Sequence, residues 1–396
     1  MKIFWVSNSP WAKTGYGVQT NIFLQKLQEM GHDLACLCYY GLEGGAINFN
    51  KVVCYPKAAH PYGMDILAAH AMNFKSDMIV SLMDAWVFDP RATGGIPWIS
   101  YYPVDHEPMP EKVRTNISQA FARIAMSKFG VEETHKAGLD CYYLPHAVDT
   151  NLYKPTDKLE AREKLKLPKD AFIIGTVAMN KGLPARKNFA PMIEAFANFK
   201  RRHIDAIYYL HTEALGIDNQ SFNIPEYCNQ LGLQIGKDVL LPDQYQKFIG
   251  FDDNWMSMMY SALDVHLLAS MGEGFGIPTL EAQACGCPVI VGDWTASGEL
   301  CFAGQKIDKK DTLRFYTGLA SYQYIPHPRQ IEIALEAECD KPSSRERARR
   351  MAEEYSVENV AEKYLKPTFT DIETKIMESR ARYQKVNEMR SSNEQQ

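Results

Sequence analysis

Residues 271–293 read MGEGFGIPTLEAQACGCPVIVGD, and they join a glycine-rich loop to a short helix and a strand. The preceding DVHLLAS is a buried-strand pattern, and Pro278 falls in the first helical turn, where proline is favoured. Gly274 and Gly276 permit a close approach of the backbone to a ligand. A helix start offers free N–H groups and a positive dipole end. The stretch therefore predicts a strand, loop and helix unit that seats a phosphate.

The same alternation extends along most of the chain. Short apolar runs that read as buried strands are separated by segments long enough for helices, which indicates parallel sheets covered on both faces. A polar, proline-bounded connection at about 148–170 divides them into two series. We therefore expect two Rossmann-like domains, 1–150 and 151–367, that face a cleft. The predicted strands are 2–8, 32–40, 77–82, 96–104, 122–127 and 141–146, then 171–179, 206–212, 238–243, 264–270 and 287–293.

Composition restricts the class of protein. The 396 residues are 46% hydrophobic and 23% charged, no apolar run reaches the roughly 20 residues of a membrane span, and the N-terminus does not resemble a signal peptide. We therefore expect a cytoplasmic protein. The formal net charge of −5 argues against affinity that depends on neutralising many duplex phosphates. The nine cysteines form no C-x-x-C pair, and we interpret them as buried thiols.

The opening stretch resembles a known signature. Its EGFGIPTLEAQACGCPV is similar to the E-x7-E pattern of retaining nucleotide-sugar glycosyltransferases of the GT-B fold, family 4 type. The resemblance implies that Glu273 contacts the donor sugar and Glu281 the ribose hydroxyls. The alternative is a structural glycine turn flanked by helix-surface acids. The intervening residues assigned to donor binding are Gly274, Phe275, Gly276, Ile277, Pro278 and Thr279.

Two further segments resemble diphosphate-binding parts of the family. KTGYG at 13–17 follows the first strand, and Gly15, Tyr16 and Gly17 would approach the donor, although a plain turn fits equally well. GTVAMNKGLPARKNF at 175–189 resembles the segment that supplies an arginine and a lysine. Lys187 matches the family lysine. The usual arginine position holds Met179 or Asn180, and we assign its role to Arg186, whose alternative is a solvated charge at a helix start.

Other matches are less specific. Asp105 and His106 end a predicted strand, where the family often has a histidine that faces the donor sugar. Pro242 stands where the family backbone meets the nucleobase, but the usual glycine is missing. In the hinge-like LPHAVD, His146 departs from the usual asparagine. The end of the chain resembles the family's closing helix, which implies that about 368–396 packs back on the first domain.

The resemblance implies a mechanism. In front-face attack the leaving phosphate helps to deprotonate the acceptor, so the protein mainly stabilises charge on the diphosphate, with Lys187, Arg186, Glu273 and His106 in the catalytic set. No D-x-D triplet occurs, and we expect no metal and no cofactor. The donor would be a UDP- or GDP-sugar. A sugar phosphorylase-like enzyme and a non-catalytic nucleotide-sugar binder remain alternatives. The acceptor is open: a glycan, lipid-linked or small molecule is favoured, and nucleic acid is possible.

Overall fold

The structure is a computed structural model that describes residues 1–217 and 221–393. In its N-terminal half, one sheet has the strand order β3-β4-β2-β1-β5-β6-β7-β8, and its strands are parallel except for β3, which runs antiparallel to β4. The elements are β1 (Lys2–Asn8), α1 (Gly15–Glu29), β2 (Asp33–Tyr40), β3 (Ile47–Phe49), β4 (Val52–Pro56), α2 (Leu67–Phe74), β5 (Met78–Leu82), β6 (Trp98–Tyr102), α3 (Glu111–Ser118), β7 (Ala122–Ala125), α4 (Lys128–Lys136) and β8 (Tyr142–Tyr143).

The second half contains another parallel sheet, of order β11-β10-β9-β12-β13-β14, followed by an antiparallel hairpin, β15–β16. Its elements are α5 (Lys158–Lys164), β9 (Ile173–Val177), α6 (Phe189–Lys200), β10 (Ile207–His211), α7 (Ile224–Gln230), β11 (Val239–Leu240), α8 (Gln244–Ile249), α9 (Asp253–Ala262), β12 (Val265–Leu268), α10 (Ile277–Ala284), β13 (Val289–Gly292), β14 (Gly304–Ile307), β15 (Thr312–Tyr316), β16 (Tyr322–Pro326), α11 (Pro328–Asp340), α12 (Arg345–Ala352), α13 (Val357–Val360) and α14 (Lys366–Asn393).

Each strand predicted from the sequence is present, because long buried apolar runs leave little choice of conformation. The sequence analysis missed β3, β4, β14 and the hairpin β15–β16. Strand β14 reads GQKI, which is too polar and short to be recognised by hydrophobicity alone. The hairpin reads TLRFY and YQYIP, and its aromatic residues around a TGLAS turn were a usable signal of paired strands.

The chain returns to its N-terminal half through α14. Phe369, Ile372 and Ile376 are buried in the apolar core under the first sheet. Arg380 adds an ion pair at 2.6 Å to Asp77, which directly precedes β5. Helix α14 therefore packs the C-terminal part of the chain against the first sheet. Of the predicted helix at 368–396, only residues 394–396 lie outside the described residues.

The domains share an apolar contact. Phe275 and Leu280 of the glycine-rich stretch belong to the same buried cluster as Trp5 and Tyr101 of the first sheet. The nine cysteines are all free thiols. No helix within residues 1–217 and 221–393 is long and apolar enough to cross a bilayer.

Candidate active site

Charged side chains from both halves converge where parallel strands end. Asp84 follows β5, and Asp105 follows β6 of the first sheet; Lys187 follows β9, and Glu273 follows β12 of the second sheet. The carboxyl ends of parallel strands form the ligand-facing edge of an open sheet. The two edges face each other, so these residues line one cleft.

Glu273 is the centre of this cluster. Its side chain is buried, and Lys187 Nζ donates to Glu273 Oε1 at 2.5 Å. The Arg186 guanidinium lies 3.5 Å from Glu273 Oε2 and also donates to the Gly272 carbonyl. Burial raises the pKa of Glu273, but Lys187 and Arg186 outweigh it and hold the pKa below its usual range. The structure therefore brings together Glu273, Lys187 and Arg186, three of the four residues that the sequence analysis placed in the catalytic set.

The N-terminal domain contributes Asp105 and His106 to the same cluster. Asp105 Oδ2 lies 3.7 Å from the Arg186 guanidinium, which links the domains. The His106 imidazole bonds to Asp105 Oδ1 at 2.7 Å through Nδ1 and to Thr317 Oγ1 at 2.9 Å through Nε2. Thr317 lies at the tip of the β15–β16 hairpin, so the ring is fixed from both sides.

Asp84 is a site residue that the sequence analysis missed. Tyr16 donates to Asp84 Oδ1 at 3.4 Å, and burial, assisted by the nearby Asp105 carboxylate, raises the pKa of Asp84 to about 6. The buried Tyr16 hydroxyl has a pKa above its usual range for the same reason. The signal was available, since SLMDAW places this carboxylate just after a predicted strand, as VDHE places Asp105.

Glu281 lies one helical turn inside α10. Tyr260 donates to Glu281 Oε2 at 2.9 Å, and burial raises the Glu281 pKa to about 7. The helix begins after Gly276, whose φ of 107° requires glycine, and no side chain caps its first N–H groups. Glu281 thus stands beside an open helix start with positive dipole character.

The remaining glycines act differently from the expectation. A Cβ on Gly274 would lie 2.2 Å from Pro103 Cβ, and one on Gly17 would lie 2.2 Å from the Ala12 carbonyl oxygen. Gly274 therefore permits close contact between the domains, and Gly17 permits the tight turn in which its own N–H bonds to Thr14 Oγ1 at 3.0 Å. The donor contacts assigned to the two glycines remain predictions.

Phe275 also differs from the expectation of donor contact. Its ring is 3% exposed and packs edge-on against the His146 imidazole, with ring centroids 5.0 Å apart. His146 itself is buried and bonds to Tyr101 Oη at 2.9 Å through Nδ1, and burial lowers its pKa to about 3. Both rings are packing groups of the domain interface, because an aromatic ring enclosed by apolar neighbours has no face left for a sugar.

The last sequence-assigned residues lie around the cluster. A Cβ on Gly15 would lie 3.3 Å from Ile277 Cδ1, so the first glycine loop rests against the start of α10. Pro278 occupies the first turn of α10, and Thr279 is buried behind it. Pro242 lies between β11 and α8, at the far edge of the second sheet, where its carbonyl accepts from Gln244 at 2.9 Å.

An ion pair connects the two domains beside α9. Lys13 Nζ lies 2.8 Å from Asp253, the first residue of α9, and both side chains are about half exposed. No group of His, Cys, Asp and Glu in the described part of the chain is arranged to hold a metal ion. The positive charges nearest to Glu273 are those of Arg186 and Lys187.

Comparisons with known proteins agree with this architecture. Residues 157–300 match the family model "Glycosyl transferases group 1", which confirms the resemblance for this segment. The fold is GT-B: sucrose-phosphate synthase from Thermosynechococcus elongatus superposes with a TM-score of 0.71 at 15% identity, over 94% of this chain and 99% of that one. Anabaena HepE, solved in complex with UDP-glucose, superposes with a TM-score of 0.65 at 16% identity, over 93% and 100%.

Sequence similarity is more local. D-inositol 3-phosphate glycosyltransferase of Stackebrandtia nassauensis is 28% identical over 147 residues, which cover 37% of this chain and 32% of that protein. The chain thus matches about a third of that relative's length. Residues 157–300 are thus similar to group 1 glycosyltransferases, and the chain has the GT-B fold.

Proposed function

We propose that the chain is a retaining glycosyltransferase that moves a hexose-type sugar from a nucleotide-diphosphate sugar to an acceptor hydroxyl. The observation that carries the proposal is the buried cluster in which Lys187 and Arg186 both reach Glu273 beside the open start of α10. The side chains of Glu273 and Lys187 are only 8% and 19% exposed, whereas that of Arg186 is 41% exposed. Holding a carboxylate and an ammonium group at this depth is costly, and a donor with hydroxyls and a diphosphate would satisfy both of them and the guanidinium beside them.

Each residue would have a distinct task in this reaction. Lys187, Arg186 and the first N–H groups of α10 would stabilise the charge that develops on the leaving diphosphate. Glu273 would then accept from sugar hydroxyls, and Glu281 from the ribose. His106, fixed by Asp105 and Thr317, would face the sugar. Front-face attack needs no separate base, because the leaving phosphate takes the acceptor proton.

The comparisons support the class of donor. HepE, with the same fold, was solved with UDP-glucose, which favours a UDP-sugar, with a GDP-sugar as the next candidate. The acceptor stays open among glycan, lipid-linked, small-molecule and nucleic-acid hydroxyls. A cytoplasmic location and independence of metals also belong to this proposal.

The test is a screen of UDP-, GDP- and ADP-sugars with EDTA present, following thermal stabilisation and slow nucleotide release. We expect one donor to raise the melting temperature and to be hydrolysed slowly without an acceptor. Lys181→Ala, on an exposed side chain of the same loop, serves as the control for Lys187→Ala. A donor that binds but never turns over would instead indicate a nucleotide-sugar binder. Binding of none of them would overturn the proposal.

A further inference from the structure

The β15–β16 hairpin has two faces that look at different parts of the molecule. On one face Gln323 Nε2 donates to the Asp105 carbonyl at 3.2 Å, next to the sugar-site cluster. Successive side chains of a strand point to opposite faces, so Tyr322 and Tyr324 look the other way. Arg314, which pairs with Tyr324 across the hairpin, stacks on the Tyr322 ring at 3.8 Å. The hairpin therefore separates the Glu273 cluster from the space on the side of Tyr322 and Tyr324.

Behind the hairpin lies a cavity of about 710 Å³ between the two domains. This open cavity is bordered by β15–β16 and the turn before it on one side, and by α3, α4 and the loop after His106 on the other. Its volume falls within the range of small-molecule sites. Cationic side chains outnumber acidic ones in its lining: Arg114, Lys136, Lys309, Lys310 and Arg314 against Glu107 and Glu133. The excess of positive charge is local to this cavity, because the whole chain carries a formal net charge of −5.

Glu107 occupies part of this positive lining. Lys309 forms an ion pair with Glu107 from the C-terminal domain, and Tyr324 donates to Glu107 Oε2 at 2.8 Å. Lys136, from α4 of the other domain, attracts the same carboxylate. Burial raises the Glu107 pKa, but these partners outweigh it and hold the pKa below its usual range. The cavity thus already holds one carboxylate between cations of both domains.

The lining retains further capacity for negative charge. Arg314 is exposed and forms no ion pair with any carboxylate of residues 1–217 and 221–393. Lys310 and Lys136 pair with Asp308 and Glu133 but are 73% and 62% exposed, so their remaining donors face water. A guanidinium and ammonium groups around one cavity suit a phosphate, whose oxygens accept several charge-assisted bonds.

We propose that this cavity is a second anion site, which binds a phosphorylated small molecule between the two domains. The phosphate would bind Arg314, Lys309 and Lys136. The site lies on the opposite face of the hairpin from Glu273, so it is distinct from the donor diphosphate site. It does not depend on the proposed function, because binding can be measured without turnover.

The binding test uses pyrophosphate and glucose 6-phosphate as probes, followed by calorimetry on the full chain. We expect Arg314→Gln and Lys136→Gln each to weaken glucose 6-phosphate binding by tenfold or more. Arg91→Gln, an arginine that is 88% exposed and outside the cavity, is the matched control and should bind as the wild type does. Lys187→Ala should also retain binding. Failure of the wild type to bind either probe, or loss in Lys187→Ala with retention in Arg314→Gln, would overturn the proposal.

A second arm separates two sources of the phosphate. Glucose 6-phosphate is incubated with the donor identified by the screen and then analysed by mass spectrometry. A glycosylated product would identify the ligand as a phosphorylated acceptor, and an unchanged probe that still binds would identify a free effector. Both results support the anion site. The cavity variants should weaken glucose 6-phosphate binding and leave donor binding unchanged. Failure of the proposed transferase would instead appear as absent donor binding or as donor binding without turnover, so the two failures are distinguishable.

Discussion

Lys187 Nζ and Glu273 Oε1 lie 2.5 Å apart, although 86 residues separate them in the chain. Each residue follows the end of a different strand of the second sheet, β9 and β12, which are neighbours. Burial lowers the pKa of Lys187, and the Glu273 carboxylate opposes that shift. A buried pair of this kind is expensive to break and sensitive to any ligand that competes for either partner.

Lys187→Ala should lower turnover by on the order of 10²-fold or more, because it removes a charge partner of the leaving diphosphate. Nucleotide release from the donor found in the screen measures the effect. Lys181→Ala should leave turnover within about twofold of wild type. Near-normal turnover in Lys187→Ala would mean that other groups hold the diphosphate.

Donor affinity should depend on pH through Glu281. With its pKa raised to about 7 by burial, the side chain is largely protonated at pH 6 and ionised at pH 8. In the proposed donor complex this carboxylate would accept from both ribose hydroxyls, so affinity should rise severalfold between these values, while the nucleotide sugar itself does not titrate there. Glu281→Gln should bind more weakly at pH 8 and lose the dependence, which titration calorimetry can measure. A variant with wild-type affinity and the same pH dependence would refute the assignment.

The same pKa shift makes a prediction for stability. Between about pH 4.5 and pH 7, the Glu281 carboxyl group is protonated in the folded state and ionised in the unfolded state. Stability contributed by this group is therefore lost as the pH rises through that window. Glu281→Gln should be stabilised relative to wild type at pH 8 more than at pH 4, as measured by urea unfolding. An equal difference at both pH values would contradict it.

Gly274→Ala should loosen the contact between the domains. The new methyl group would overlap Pro103, and such overpacking costs about 1–3 kcal/mol of the free energy of unfolding. Gly45→Ala is the control, since a Cβ there meets nothing within 4 Å, and it should change stability by less than about 0.5 kcal/mol. Equal unfolding curves for the two variants would show that the interface adjusts without cost.

Removal of divalent ions should leave donor turnover unchanged. In the proposed reaction, Arg186, Lys187 and the helix start would supply the positive charge that a metal ion provides elsewhere. The measurement compares turnover with EDTA and with added Mg²⁺ or Mn²⁺. A strict loss with EDTA that Mg²⁺ or Mn²⁺ restores would place a metal in the reaction.

Two features of the site could be predicted from the sequence, because they depend on short stretches of residues. The glycine–proline–glutamate stretch at 273–281 specifies its own turn and helix, and the end of a predicted strand marks Asp105. Lys187 was assigned from the resemblance of residues 175–189 to the family segment. Asp84 could have been predicted in the same way as Asp105, since it also follows a predicted strand. The hairpin β15–β16 was harder to recognise, because paired strands are stabilised by neighbours across the sheet more than by their own sequence.

The sequence by itself determined the alternating strands and helices, their division into two sheets and the residues at the strand ends, since buried apolar runs and glycine turns act over a few residues. Only the tertiary structure decided which side chains meet. The tertiary structure brought Lys187 and Arg186 to Glu273 and placed Phe275 and Gly274 in the domain interface. It also placed the β15–β16 hairpin between the Glu273 cluster and the cavity lined by Arg314 and Lys136. The contacts of Glu273 depend on the pairing of β9 with β12 inside the second sheet, and the others depend on how the two domains dock. No local pattern encodes either the pairing of distant strands or the relative position of two surfaces.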